Sequence, residues 1–462
     1  MASKWKIGVL LLAVVALMSG CLGEKPVLDQ LEEGKGKIKV IHYSKESFYS
    51  DYGNYFNIKY PDIEFEVISY KELAAKQGEG ESFDFDAELE KFIEKNKPDV
   101  MMLNGKQFEK FAQNGKLYGL DQIISQEKFD LEGYMPGLVD LLRSKGNGTL
   151  YGLAPAFYTD VMYYNRDLFK EHNIEPPRNK MSWQEVIDLS KRFTGIGSGD
   201  NKIYGFYKSY GDVQFIVNNI ASSAGLNLFD TKGEKLLINS DGWKKAIKMA
   251  TDAVRDKSIA IPSPEESQTG WGEAFYQGKA AMVIEGTWFA QQIKNRPLYD
   301  KKFKEINWDI VTAPIDPSSP DESSDVNLTD IYAIAADSPN KRAAWEFVKF
   351  VNGPEIAKAA GRTVSGRIPT RKDYFKEIEG RSTEPFFLLK PKLGTSYSGF
   401  WGNYNVPDTF NKNFNPLVEE SLKAIVDNKK TVEEAVAELE AKGQQLLDKA
   451  HQEQKAKSKD KK

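Results

Sequence analysis

The chain has 462 residues, more than a single hydrophobic core usually supports, so two domains or lobes are expected. Apolar residues make up 40% and charged residues 28%, an ordinary globular balance that excludes disordered and fibrous classes. The formal net charge of −4 argues against a nucleic-acid partner. The 8 Trp, 21 Tyr and 26 Phe exceed what a core alone needs and suit the recognition of flat, hydroxyl-rich solutes.

The first twenty residues read as an export signal. Lys4 and Lys6 form a basic start, and Ile7 to Met18 form an apolar run too short to span a bilayer. The run ends in Leu-Met-Ser-Gly-Cys, similar to the lipoprotein signal of bacteria, with Met18 where leucine is usual. Cys21 is the only cysteine, so no disulfide can form within the chain, and its place fits a lipid attachment point at the outer face of a bacterial membrane. Without Lys4 and Lys6 the chain has 61 basic against 67 acidic groups, a net of −6. Residues 21–36 read as a flexible tether, and 451–462 as a disordered basic tail.

After the tether, strands and helices alternate. Lys37 to Tyr43, Ile63 to Ser69 and Asp99 to Leu103 read as strands, and Asp86 to Asn96 and Gln107 to Asn114 as helices. This pattern predicts an α/β layer with a largely parallel sheet, whose ligands sit beyond the carboxyl ends of strands. The loops Ser44-Lys45-Glu46 and Asn104-Gly105-Lys106 are therefore candidate contacts or plain solvated turns. The acidic stretch Glu79 to Glu90, with Asp84 and Asp86, collects oxygen ligands but lacks the glycine and spacing of a calcium loop, so no cofactor is expected. Further on, Ser182-x-x-Glu185 and Thr431-x-x-Glu434 are capping boxes. Ser240 or Asp241 caps a helix to about Arg255, and two helices, from about Pro416 to Asp427 and Thr431 to Ala450, close the chain.

Six passages in order resemble the extracellular solute-binding proteins of ABC importers, the family that includes maltose-binding protein. They are KPDVMML with FAQNGKLYGL, LYGLAPAFYTDVMYYNRDLF, SWQEVIDLSKRF, FYQGKAAMVIEGTW, AWEFVKFVNGPEIAK and SGRIPTRKDYF. The resemblance implies a periplasmic-binding-protein-like fold of type II: two α/β lobes joined by a multi-crossing hinge, with a ligand cleft between them. It puts residues 37–156 and about 313–385 in lobe 1, and 157–312 and about 386–450 in lobe 2. It implies a monomeric receptor that closes on a carbohydrate and delivers it to permease subunits in the membrane. A peptide or an organic cation is the alternative solute.

The same resemblance makes Pro155 to Asn165 a hinge strand, with Phe157, Tyr158 and Asp160 facing the ligand and Tyr163 and Tyr164 structural. It places Trp288, after Glu285 and Gly286, and Trp401 as the aromatic platforms. Trp271 is a third platform or a core residue packed with Phe275. Tyr397 and Tyr404 share the Trp401 loop. Asp212 and Gln214 open a helix in the second lobe, and Asn327 and Asp330 lie at the return crossing.

Enzyme chemistry finds little footing. His42, His172 and His451 are isolated, no zinc-ligand spacing occurs, and Gly195 to Gly199 follows a helix, so it is a turn and not a phosphate loop. A secreted carbohydrate-active hydrolase needs only two carboxylates, which 67 acidic residues leave open.

Overall fold

The computed structural model describes residues 27–76, 85–208, 211–261, 272–301, 303–363, 366–393 and 406–460. In chain order its strands are β1 Gly36–His42, β2 Ile63–Ser69, β3 Val100–Leu103, β4 Gly152–Leu153, β5 Ala156–Phe157, β6 Val161–Asn165, β7 Tyr204–Tyr207, β8 Ile259–Ala260, β9 Ala280–Glu285, β10 Trp308–Thr312, β11 Glu322–Ser323, β12 Ile331–Ile334 and β13 Ile368–Pro369, followed by the two-residue strands Glu377–Ile378, Arg381–Ser382 and Lys390–Pro391.

The chain forms two compact units. The first takes the chain up to Leu131, then Gly146–Leu153 and Ile331–Asn352; the second takes Glu132–Lys145, Ala154–Asp330 and the chain from Gly353. Residues 132–145, 154–156, 313–330 and 353–385, expected with the first lobe, therefore fold with the second. The reason is local pairing: β13 hydrogen-bonds β5, and Tyr158 bridges Asn327, all within the second unit.

The first unit is built on a sheet of order β2-β1-β3-β12-β4. β1 runs parallel to β2 and β3, while β12 is antiparallel to β3 and β4. Every residue of β3 is buried, as a central strand covered on both faces requires. Phe65 of β2 meets Phe48, Phe56 and Phe347 with ring centroids 4.9 to 5.2 Å apart. Phe347 belongs to the helix Lys341–Val351, so this aromatic knot fastens the helix to the sheet. The tether is shorter than expected, because the Val27 N–H already donates to Gln126 Oε1 at 2.8 Å.

The second unit has a sheet of order β10-β6-β9-β7-β8. β6 is antiparallel to both β10 and β9, whereas β7 is parallel to β9 and β8. All of Val161–Asn165 is buried. The Tyr163 ring sits between Phe289 at 5.1 Å and Trp308 at 5.3 Å, and its hydroxyl donates to the Gly286 carbonyl at 2.9 Å. Asn165 caps the following helix Arg166–Glu171 by accepting from Asp167 and Leu168 N–H. The expected single strand from Pro155 to Asn165 is in fact two, β5 and β6, interrupted where Tyr158 turns to bridge Asn327.

Ser182 and Glu185 form the capping box of helix Trp183–Lys191. The next-to-last helix begins at Asp408, eight residues before its expected start, with Pro416 inside it. Its apolar spacing explains this: Phe410 and Phe414 stack at 4.8 Å and, with Val418, Leu422 and Ile425, form one buried face running through the proline. The last helix, Val432–Asp460, contradicts the disordered tail expected from 451. His451 Nε2 lies 2.9 Å from the Gly233 carbonyl and anchors that turn.

Candidate functional site

Strand register in the second unit brings charged residues to one edge of its sheet. Val161, the first residue of β6, pairs with Glu285 at the end of β9 and with Thr312 at the end of β10. β7 runs parallel to β9 with Phe206 opposite Met282, so Lys208, just past β7, is level with Ile284. Asp160, Lys208, Glu285 and Ala313 therefore share the edge where β7, β9 and β10 end. The antiparallel bridge of Tyr158 with Asn327 then carries Asp325 opposite Asp160. The Asp160 N–H donates to Asp325 Oδ2 at 3.0 Å.

Of these, Asp160, Lys208, Ala313 and Asp325 wall a recess of about 50 Å³ with Trp183, Phe215, Ser222, Ser324 and Pro314. Lys208 is 4% exposed, and its ammonium lies 4.1 Å from the Phe215 ring centroid. Burial pulls the Lys208 pKa down, against the pull of Glu285, Asp160 and Asp325. Burial also raises the Asp160 carboxyl, with Lys208 acting the other way. Asp325 is pushed well above the usual carboxylate range, first by burial and then by the Asp160 charge. The edge is a desolvated group of three acids and one amine, in which burial disfavours the charged forms of Asp160, Asp325 and Lys208.

Gly286 joins this group to an aromatic surface. A Cβ built on Gly286 would lie 3.0 Å from the Trp288 ring and 3.3 Å from Asp160 Oδ1. Only glycine leaves the indole and the carboxylate this close together. Trp288 is half-buried in the first turn of helix Thr287–Tyr299, edge-on to Phe289 at 5.6 Å. An aromatic plane next to carboxylates can stack on an apolar ring face while accepting from that ring's hydroxyls.

Of the residues singled out in the sequence, Asp160, Glu285 and Trp288 come together here. Phe157 does not face a ligand: it is fully buried, with Phe387 edge-on at 5.6 Å. Tyr158 is spent in part on its backbone bridge to Asn327. Asp330 pairs with Arg367 at 3.3 Å. Gln214 is half-buried on helix Val213–Ser223, which Asp212 caps through the Phe215 N–H. Trp271, Trp401, Tyr397, Tyr404 and Cys21 lie outside the described residues.

In the first unit, Lys45 and Glu46 are exposed on the short helix Lys45–Phe48. Asn104 caps helix Gly105–Gln113 in a capping box with Gln107, and Lys106 pairs with Asp86 at 2.6 Å. Asp86 is thus engaged with a cation, and among the described residues no three ligating side chains gather for a metal. Lys208 and Asp325 were missed. A lysine directly after the buried strand YGFY was a usable signal; Asp325, in an irregular segment, had none.

The family model for the bacterial extracellular solute-binding protein matches residues 44–358. The arabinooligosaccharide-binding protein of Bacillus subtilis is 24% identical over 382 residues, covering 80% of this chain and 81% of its own. The maltotriose-binding protein of Pyrococcus abyssi is 22% identical over 322 residues, 66% of this chain and 64% of its own. Among solved structures, a sugar transporter from Rhizobium etli in an open conformation aligns with a TM-score of 0.64 at 20% identity, covering 88% of this chain and 99% of that one. The sugar-binding protein MalE of Xanthomonas citri aligns with a TM-score of 0.63 at 18% identity, covering 89% and 98%. Both share the type II fold of periplasmic binding proteins. With the model spanning more than half of its length, the chain belongs to the bacterial extracellular solute-binding protein family.

Proposed function

We propose that the protein captures an extracellular oligosaccharide by hinge closure and delivers it to the permease of an ABC importer, while anchored to the membrane through a lipid on Cys21. The observation that carries this reading is the close approach of the Trp288 ring and the Asp160 carboxylate around Gly286. A saccharide offers an apolar C–H face to the indole and hydroxyls to the carboxylates, and each hydroxyl stripped of water needs such a partner. Relatives named for arabinooligosaccharide and maltotriose support the solute class. No described helix is long and apolar enough to cross a membrane, which is compatible with attachment through the lipid. A micromolar dissociation constant requires about −8 kcal/mol, within reach of one stacked ring and several charged hydrogen bonds after ordering costs.

The test is a thermal-shift screen of oligosaccharides of varied linkage, followed by calorimetry and chromatography of the mixtures. The expected result is a rise in melting temperature with saturable binding and unchanged sugar. Accumulating cleavage products would instead make the protein a hydrolase, and a panel in which nothing binds would end the saccharide reading.

A further inference from the structure

We infer that the recess beside Asp160 receives the exocyclic hydroxymethyl arm of a hexopyranose, so that the preferred oligosaccharide is built of hexoses and not of pentoses. The inference rests on the saccharide reading above and narrows it.

The recess adjoins the aromatic surface. Asp160 Oδ1 and the Trp288 ring both lie within 3.3 Å of the place where a Cβ on Gly286 would stand, and Asp160 is also a wall of the recess. A sugar ring stacked on the indole has the recess at its edge. At about 50 Å³, the recess has room for about three or four waters at roughly 10–15 Å³ each. A whole pyranose ring does not fit, whereas a single carbon and its hydroxyl do.

The walls suit both parts of such an arm. Phe215, Ile284, Ala313 and Pro314 give the methylene carbon to lie against. The polar part is read by helix Val213–Ser223. Its Phe215, Asn219, Ser222 and Ser223 share one face by their spacing and all line the recess, so the Asn219 side chain is turned toward it. The serine hydroxyls of the lining are already engaged. Those of Ser222 and Ser324 meet at 3.0 Å, Ser324 also donates to the Ser222 carbonyl at 2.7 Å, and Ser223 donates to the Ile220 carbonyl at 2.9 Å. The Asn219 amide and the Asp160 carboxyl, by contrast, make no side-chain hydrogen bond with any described residue.

A hydroxyl serves both of these groups at once. The amide offers a donor and an acceptor, and a hydroxyl hydrogen rotates to suit. An ionised Asp160 accepts from that hydroxyl and a protonated one donates to it, so the match holds in either state. A pentopyranose has no arm to send in and leaves the recess to water. A methyl arm sets carbon against two polar groups and strips them of water without replacement.

The test is calorimetry with cellotriose and xylotriose, which differ only by the hydroxymethyl arms, and with maltotriose and arabinotriose as a second pair. Within a pair, the hexose sugar is expected to bind about tenfold or more tightly than the pentose sugar. Asn219→Leu should shrink that difference to about threefold or less by weakening the hexose sugar. Its melting temperature, expected within about 2 °C of the parent, establishes that it folds. A pentose sugar that binds as tightly as its hexose counterpart, or a preference that survives Asn219→Leu, would overturn the inference while leaving the saccharide reading standing. Absence of binding by every sugar would remove that reading first, and this inference with it.

Discussion

The Asp160 backbone N–H and Asp325 Oδ2 are 3.0 Å apart, which sets two carboxyl side chains side by side at the edge of the second unit's sheet. Each has its proton affinity raised by burial, and Asp325 further by its neighbour. The folded protein therefore keeps protons that the unfolded chain gives up near pH 4. Stability from this source is present below that pH and is lost as pH rises through the folded pKa values. Asp325→Asn still accepts the Asp160 N–H but removes one acid. Its melting temperature relative to the parent should climb by about 2–4 °C between pH 4.5 and pH 7.5, measured by differential scanning fluorimetry. A difference that stays flat with pH would mean the pair is already stabilised as two ions.

Gly286 offers a second test. The added Cβ of Gly286→Ala would press on the Trp288 ring at 3.0 Å and crowd Asp160 Oδ1 at 3.3 Å. Such contacts are tight, and an indole wedged against Phe289 yields little. Sugar affinity should fall about tenfold, with a shifted Trp fluorescence maximum and a change in melting temperature of about 2 °C or less. Trp288→Ala should weaken binding at least as much. Should both variants bind normally, the aromatic platform lies elsewhere.

Phe157 behaves differently. It is fully buried, and Phe157→Ala should cost about 3–5 kcal/mol by opening a cavity. Urea unfolding would register that loss. Affinity measured at low temperature, where the variant is still folded, should stay within about threefold of the parent; a larger loss of affinity without a loss of stability would restore Phe157 as a ligand contact.

The first unit has its own electrostatic hinge pin for stability. Glu127 accepts from Arg342 at 2.6 Å, from Lys349 at 2.7 Å and from the Trp345 indole at 3.0 Å. Burial works against its ionised form, yet the bonds from Lys349 and Trp345 hold its pKa below the ordinary value. A lowered carboxyl pKa stabilises above the unfolded value and fades as pH falls through the folded one. Glu127→Ala should therefore lose about 2–3 kcal/mol at pH 7 and markedly less at pH 3.5, as read from urea midpoints. A loss of equal size at both pH values would point to packing and not to charge.

Much of the architecture was legible because its signals are local. β2 spans Ile63–Ser69 as its alternation predicts, and the capping boxes at Ser182 and Thr431 form as spelled. The ordered motifs from KPDVMML to SGRIPTRKDYF sufficed for the family, and Glu285-Gly286-Thr287-Trp288 for one aromatic of the candidate site. Local signals failed where a distant partner outvoted them. Pro416 reads as a helix start, but the buried face of Phe410 and Phe414 carries the helix through it. Phe157 reads as a cleft residue beside Tyr158, but Phe387, far along the chain, covers its ring.

The amino-acid sequence alone thus determined the alternation of strands and helices, the family and the short turn that holds Trp288, because each depends on residues within a few positions of one another. Only tertiary structure decided that Lys208 and Asp325 join Asp160 and Glu285. Those four come from separate stretches of chain, and what unites them is strand register, a sum of backbone hydrogen bonds between segments 76 or more residues apart.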